Sequence, residues 1–177
     1  MNLERLILSQ HKSEIKTFKK GEVIQTAGSS LQYAFYIKKG LTRSYLIDSK
    51  GKEHIYSFAS ENWIIGDLEA LEYGGPTELF IDCIEDAEVI VFWKDDIFNQ
   101  NMSHEQLQTI RKMLSRRVGR LQRRVLMLMG TPAADRYKYF LDVYPDLVER
   151  VPQHMIASYL GMAPQTLSTL RGKQVKA

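Results

Sequence analysis

Four polar side chains near the C-terminus have the types and the spacing needed to read DNA. Residues 153–172 read QHMIASYLGMAPQTLSTLRG, in which the small Ala157 precedes Gly161 by four places and apolar residues recur at helical spacing. This is the pattern of a helix-turn-helix of about 20 residues, whose glycine permits a left-handed turn. The side chains left pointing outward are Gln165, Ser168, Thr169 and Arg171. Their amide, hydroxyl and guanidinium groups can bond to base edges or phosphates in a major groove, so the pattern predicts a DNA-binding element. A two-helix turn used only for packing is the alternative.

The net charge of the chain, +3, conceals an uneven distribution. Residues 1–99 carry 11 Lys and Arg against 16 Asp and Glu, a net charge of −5, whereas residues 100–177 carry 13 against 5, a net charge of +8. A basic part joined to an acidic one is typical of a module that faces nucleic acid beside a part with another task. A solvated basic helix face is the plainer interpretation.

One long helix is predicted over residues 103–130, between these two parts. Ser103-His-Glu-Gln106 has the form of an N-terminal capping box, and Gly130 is a natural terminator. Leucines recur every seven residues within the helix, and valines precede two of them by three places, which favours a parallel two-stranded coiled coil. The predicted dimer interface comprises Leu107, Leu114, Val118, Leu121, Val125 and Leu128. Packing of this stripe on another part of the same chain is the alternative.

Arginines flank the stripe and predict a cationic outer surface for the long helix, although Arg111 at an a position weakens the first heptad. They are Arg116, Arg117, Arg120, Arg123 and Arg124. After the helix, Thr131-Pro132 supplies a cap followed by a proline at the first position of another helix, which Pro145 stops.

The N-terminal part has the pattern of an antiparallel β-roll of the jelly-roll type. Short apolar or alternating runs are separated by glycine-containing turns at regular intervals. The runs are residues 22–24, 33–37, 41–47, 54–58, 63–65, 79–83 and 88–93. The predicted fold class is therefore α+β, with a roll over residues 1–102, a dimerisation helix over 103–130 and a helix-turn-helix domain over 131–177.

Several classes of function lack the residues they require. A lone Cys83 provides neither a disulfide nor an iron–sulfur cluster, and we expect it to be a buried small hydrophobe in a reducing compartment. His54 is the one histidine of the strand region, residues 18–92, and is expected at a turn or on the surface, so neither a metal nor haem is expected. No catalytic constellation is visible, which argues against an enzyme. The longest apolar run, residues 125–129, is far below the roughly 20 residues of a membrane helix, so we expect a cytoplasmic protein.

The order of roll, long helix and terminal helix-turn-helix resembles the Crp/Fnr family of bacterial transcription regulators across nearly the whole chain. Short motifs carry this resemblance, namely residues 20–24, 36–40, 66–68, 87–89 and 152–171. The segment of residues 136–170 is similar to the branch common in Bacteroidetes. The resemblance implies a cyclic-nucleotide-binding-type roll that acts as the sensor and a winged helix-turn-helix that acts as the reader. The partners it implies are double-stranded DNA, a second copy of the chain and RNA polymerase.

The chain departs from this family at the positions that would hold a cyclic nucleotide. The resemblance places an acid for the ribose and an Arg-Ser pair for the phosphate in a short cassette that begins Gly-Glu-Leu. Here the cassette positions are Gly66, Asp67, Leu68, Thr77 and Glu78. A carboxylate in place of a guanidinium repels a phosphate, and Leu121-Gln122 stands where adenine-sensing members carry small hydroxyl residues. We therefore expect that cyclic AMP is not the ligand, and no other effector is identified.

The reader differs from the family as well. Only residues 172–177 follow the second motif helix, so we expect the β-wing to be absent or truncated. Gln165 and Thr169 stand where the family frequently has Glu and Arg, so base preference does not carry over and readout is expected to shift towards adenine. The predicted function is a homodimeric DNA-binding regulator. A sensor or interaction module that has lost DNA binding is the alternative.

Overall fold

The backbone of the computed structural model falls into two compact units, Met1–Met113 and Leu114–Ala177. The structure describes residues 3–8, 13–30, 33–94 and 102–174. The first unit contains the strands, and the second is helical. The fold class is α+β, as predicted.

The first unit consists of eight antiparallel strands and two short helices among its described residues, besides the beginning of a long helix. The strands are β1 (Glu14–Phe18), β2 (Val23–Gln25), β3 (Tyr33–Lys39), β4 (Thr42–Ile47), β5 (Glu53–Ala59), β6 (Trp63–Ile65), β7 (Phe80–Cys83) and β8 (Ala87–Trp93). The helices are α1 (Leu3–Leu8) and α2 (Leu68–Tyr73). Two four-stranded sheets form, in the orders β1-β8-β3-β6 and β2-β7-β4-β5.

The inner faces of the two sheets enclose an apolar core. Because side chains alternate across a strand, Phe35 and Ile37 of β3 and Val89 and Val91 of β8 point to the same side and join one buried cluster with Ile81 of β7. The opposite face of the first sheet forms a second cluster, in which Tyr36, Ile90 and Phe92 pack with residues of the helices: Ile7, Leu71 and, half-buried, Leu68 and Met113. Helices therefore cover one sheet face in this unit.

The seven strands predicted from the sequence are all present, with ends within two residues of those expected. Their turns use glycine where the backbone requires it. Gly40 has a φ of +97°, and a Cβ there would run into the backbone of Asp86 and Ala87. Three elements were not predicted: β1, α1 and α2. β1 is an edge strand with mostly exposed side chains, so it lacks the apolar alternation that marks a half-buried strand.

The remaining elements are helical. They are α3 (His104–Gly130), α4 (Ala133–Val143), a 3-10 turn (Pro145–Leu147), α5 (Gln153–Tyr159) and α6 (Pro164–Gln174). The predicted capping box of α3 is confirmed, because the Ser103 N–H donates to Gln106 Oε1 at 2.7 Å and the Gln106 N–H donates to Ser103 Oγ at 3.3 Å.

The prediction for the start of α4 was wrong by one position. Pro132, with extended backbone (φ −56°, ψ 149°), is the N-cap of α4 and not its first helical residue, and no side chain caps this helix. α6 also continues through Gly172 to Gln174, beyond the predicted end of the motif. Residues 175–177, part of the segment in which the absence of a wing was predicted, lie outside the described residues.

Candidate functional site

The predicted helix-turn-helix is formed by α5, α6 and the turn between them. Gly161 has a φ of +62°, a left-handed conformation that glycine adopts without steric cost. Its N–H donates to Ser158 O at 3.1 Å, and the Met162 N–H donates to Ala157 O at 3.0 Å. These bonds satisfy carbonyl groups at the end of α5 and direct the chain into α6, which begins at Pro164.

The inner faces of the two helices are packed as the sequence indicates. Ile156, Leu160 and Leu167 are at most 1% exposed, and Ala157 is fully buried. Met162 and Leu170 are half-buried. Since these apolar side chains face inward, the polar side chains of α6 must point away from the packed side.

The exposed side chains of α6 include Gln165, Ser168 and Thr169, which we call the reader face. The Thr169 hydroxyl donates to Gln165 O at 3.0 Å, so its oxygen still has an acceptor site for an outside donor. Thr166 is also exposed and was not singled out from the sequence. Arg171 is half-buried and follows the buried Leu167 by one helical turn, so it flanks the reader face instead of lying on it.

The predicted dimer stripe on α3 is largely uncovered in the single chain. Leu107 is 52% exposed, Val118 61% and Val125 55%. Leu128 is exposed as well, and Leu114 and Leu121 are half-buried. Val118 and Val125 are therefore available to a second copy of the chain, whereas Leu128 also contacts the motif turn, where a Cβ at Gly161 would lie 2.6 Å from its Cδ2.

Of the five arginines that predict a cationic outer surface on α3, Arg116 and Arg123 are exposed, and Arg117, Arg120 and Arg124 are half-buried. Three of them lie over tyrosine rings: Arg120 over Tyr144 at 5.5 Å, Arg123 over Tyr139 at 5.4 Å and Arg124 over Tyr159 at 4.3 Å from the ring centroid. Tyr139 lies within α4, Tyr144 is the C-cap residue of α4, and Tyr159 is the last residue of α5. Three arginines of the basic stretch therefore contact aromatic rings within the second unit.

The cassette expected from the family resemblance adopts a closed, hydrogen-bonded arrangement. Asp67 is the N-cap of α2, and its Oδ1 accepts from the N–H groups of Glu69 and Ala70 at 3.1 and 3.2 Å. Its Oδ2 accepts from the Thr77 hydroxyl at 2.7 Å and from the Glu78 N–H at 3.3 Å. The carboxylate thus receives four bonds from its own chain, about the number that its two oxygens can accept.

Thr77 is the centre of this arrangement and is only 2% exposed. Its hydroxyl oxygen accepts from Gln25 Nε2 at 3.0 Å and from the Leu79 N–H at 3.1 Å while its proton goes to Asp67. Its backbone pairs with residues 28 and 29, since the Gly28 N–H donates to Thr77 O and the Thr77 N–H donates to Ser29 O. We call the side-chain bonds among Gln25, Asp67 and Thr77 the cassette latch.

The other cassette residues surround this latch. Gly66 is buried against Ala34, Leu68 is half-buried in the second apolar cluster, and Glu78 is exposed. Gln25 is 4% exposed, and its Oε1 has no hydrogen-bond partner. A ligand beside the latch would therefore meet an unused acceptor at Gln25 and an already saturated carboxylate at Asp67, neither of which can donate to a phosphate oxygen.

The groups considered for redox or metal chemistry are otherwise engaged. Cys83 is 2% exposed, and burial raises the pKa of its thiol to about 12. His54 Nε2 lies 2.8 Å from Asp48 Oδ2 in the β4–β5 hairpin, where hydrogen bonds from His54 and from the Lys52 and Lys50 amides lower the pKa of Asp48 to about 2. Among the residues that the structure describes, no group of three or more His, Cys, Asp or Glu side chains is arranged to hold a metal ion. In the same described ranges, no helix has the length and apolar character needed to cross a membrane.

A two-sheet roll with a short N-capped helix between its sixth and seventh strands defines the class of domain, and sequence comparison identifies the family. The profile of the cyclic nucleotide-binding domain family matches residues 15–104. The chain belongs to this family.

Solved structures extend the likeness in fold to the helices. FixK2 from Bradyrhizobium japonicum superposes with a TM-score of 0.77 at 19% identity, over 93% of this chain and 85% of that one. A CooA mutant from Carboxydothermus hydrogenoformans gives 0.75 at 20% identity, over 99% and 85%. A transcriptional regulator of the CRP/FNR family from Thermus thermophilus gives 0.68 at 18%, over 92% and 86%. No curated protein matches the chain in sequence. The architecture is thus that of the Crp/Fnr regulators, as the motifs indicated.

Proposed function

We propose that the protein is a homodimeric DNA-binding transcription regulator of the Crp/Fnr type whose roll does not take cyclic AMP as its effector. The observation that carries the proposal is the reader face, a polar and exposed surface on the second helix of a helix-turn-helix whose inner face is packed. Polar side chains on such a helix serve base recognition when the helix enters a major groove. The structural likeness to a CRP/FNR regulator supports the same function.

Dimerisation follows from the apolar stripe of α3. Exposed apolar side chains at the a and d positions are stabilised when a second helix buries them. A parallel pairing would place two reader faces on one side of the dimer, as half-sites about 34 Å apart on DNA require. The second copy is the partner whose surface matches the stripe, because a parallel coiled coil pairs identical positions.

DNA binding is tested by selecting bound sequences from a random duplex library with the full chain, followed by fluorescence anisotropy. We expect a selected duplex with two half-sites to bind more tightly than a scrambled duplex, and the affinity to fall as salt rises. Gln165→Ala should remove about 1–3 kcal/mol of preference for the selected site. Absence of binding to any duplex at about 50 mM salt, a condition that favours phosphate contacts, would favour a sensor or interaction module without DNA binding.

The cassette latch argues against cyclic AMP. The phosphate of that ligand needs a guanidinium or another donor, whereas Thr77 gives its proton to Asp67, and the exposed Glu78 carries a carboxylate where a guanidinium would be required. We expect no thermal shift of the protein at millimolar cyclic AMP. A dissociation constant in the micromolar range would show that the latch opens and that the cassette accepts an anion.

A further inference from the structure

Arg124 joins the long helix to the helix-turn-helix through a backbone group. Its Nε and Nη2 donate to Tyr159 O at 3.2 and 3.1 Å, and its guanidinium lies 4.3 Å from the centroid of the Tyr159 ring. Tyr159 is the last residue of α5, so its carbonyl belongs to the group that no later turn of the helix can satisfy. An arginine from another helix thus completes the end of the first motif helix.

Tyr159 is held firmly on its other sides, so the contact with Arg124 is anchored. Its ring packs edge-on against Phe140 and Tyr144, with centroids 5.9 and 6.1 Å away, and its hydroxyl lies 3.3 Å from the Tyr144 hydroxyl. Burial raises the pKa of the Tyr159 hydroxyl, so the ring stays neutral. A planar guanidinium that both stacks on this ring and bonds to its carbonyl has one orientation in which both contacts are made.

The turn between α5 and α6 is also contacted by side chains of α3 and α4. A Cβ at Gly161 would lie 2.6 Å from Leu128 Cδ2, and Arg136 Nη2 donates to Gly161 O at 3.4 Å. Leu128 lies one helical turn after Arg124 on α3, so two successive turns of that helix meet the end of α5 and the motif turn.

We propose that Arg124 is a positioning residue for DNA reading: it fixes the direction in which the reader face points relative to the dimer helix. This inference rests on the proposed function. Two reader faces that bind two half-sites at once must both have the right orientation. A loosely held reader face loses conformational entropy when the second half-site is bound, and this loss weakens binding. Binding to a single half-site does not require this ordering. Arg124 therefore acts on the pairing of the two readers and not on contacts with bases or phosphates.

The matched variants are Arg124→Lys and Arg123→Lys in the full chain. Both keep the charge of α3 and both remove a guanidinium that lies over a tyrosine, but the structure shows bonds to a helix-end carbonyl only for Arg124 among these two. Arg124 flanks the apolar stripe, so sedimentation must first show that each variant remains a dimer like the wild type. The probes are the selected duplex with two half-sites and a duplex with one of them.

We expect Arg124→Lys to weaken binding to the two-half-site duplex about tenfold, the order of one charge-assisted hydrogen bond, and binding to the one-half-site duplex less than about twofold. Arg123→Lys should leave both affinities close to those of the wild type, and neither variant should change the salt slope. Equal losses on the two duplexes, or no loss with Arg124→Lys, would overturn the inference.

Hydrogen exchange separates this inference from the proposed function. Without the hydrogen bonds from Arg124 to Tyr159 O, the end of α5 should open more often. The amides of residues 156–162 should therefore exchange faster in Arg124→Lys than in Arg123→Lys. If the wild type binds no duplex, the proposed function fails, while faster exchange in Arg124→Lys still supports the role of Arg124 in holding the end of α5. If exchange is the same in both variants, Arg124 does not hold the end of α5, and the inference fails whatever the DNA measurements show.

Discussion

Replacing Thr77 by valine tests the cassette latch with almost no change of shape. Valine has nearly the volume of threonine, so the substitution deletes a hydroxyl without opening a cavity. Three hydrogen bonds are lost: one donated to Asp67 and two accepted from Gln25 Nε2 and the Leu79 N–H. The main-chain bonds of residue 77 to the neighbouring turn remain possible, since valine keeps the same N–H and carbonyl.

The expected loss follows from the partners left behind. A hydrogen bond to a charged group contributes about 1.5–3 kcal/mol, and a buried donor left without a partner costs about 1–3 kcal/mol. Gln25 Nε2 keeps its bond to Leu79 O, and Asp67 Oδ2 keeps the weaker bond from the Glu78 N–H, so these two groups are not fully deprived. We therefore expect Thr77→Val to lower the free energy of unfolding of the roll by about 2–4 kcal/mol.

Tryptophan fluorescence during denaturant unfolding reports this loss selectively. Both tryptophans of the chain lie in strands of the roll, Trp63 in β6 and Trp93 in β8. Thr77→Ser keeps the hydroxyl and serves as the control, with an expected change below about 1 kcal/mol and an unchanged m-value. A Thr77→Val variant within about 0.5 kcal/mol of the wild type would show that the latch contributes little and that Asp67 is free to serve another partner.

Three further outcomes are expected. Leu121→Glu combined with Val125→Glu should give monomers on sedimentation, because two carboxylates from each chain would be buried in the helix pair, whereas Gln122→Glu, just outside the stripe, should leave the dimer intact. An unchanged dimer in the double variant would place the interface elsewhere. Cys83 should resist alkylation at about pH 8 until the roll unfolds, because burial raises the pKa of its thiol to about 12 and the reactive thiolate is scarce below that pH; rapid labelling of the folded chain would contradict the packing of β7. Arg171→Ala should weaken binding to all duplexes similarly and reduce the salt slope by about one, as expected for a phosphate contact, and a change in sequence preference instead would place Arg171 at a base edge.

Features encoded by local patterns were predictable from the sequence. The seven strands follow from apolar runs between glycine turns, and the capping box of α3 follows from Ser103 and Gln106, three residues apart. The helix-turn-helix follows from Ala157 and Gly161, whose small size and left-handed backbone the motif requires. In each case the residues that determine the structure lie within one element or at one turn.

Features that depend on distant partners were not predictable. Arg124 and Tyr159 are 35 residues apart, and nothing in the sequence around either residue indicates the pair. Arg43 is a comparable case: it is 7% exposed inside a strand that reads as apolar alternation, and it bonds through two nitrogens to Asp82 of the neighbouring strand, 39 residues away. A charged residue in such a strand is read as solvent-facing unless its partner is known.

The cassette shows how a correct motif can lead to an incomplete assignment. Asp67 was singled out because of its place in a family motif, as a residue that would face a ligand. In the structure it caps α2, a helix too short to be marked by apolar periodicity, and the same carboxylate receives the Thr77 hydroxyl. Asp is both a ligand-binding residue and one of the best N-caps, and only the position of α2 distinguishes the two uses.

The packing of the arginines also changes what the basic C-terminal part contributes to DNA binding. A guanidinium over a tyrosine ring keeps its charge, so Arg120, Arg123 and Arg124 still raise the local potential, which under the proposed function raises the rate of association with DNA. The salt dependence of affinity instead follows the number of phosphates that are contacted, and side chains engaged with tyrosines do not add to that number unless they leave the ring. The net charge therefore overestimates the number of phosphate contacts. Under the proposed function, specific binding depends on the reader face and on how accurately two such faces are held, which is the property that we propose Arg124 controls.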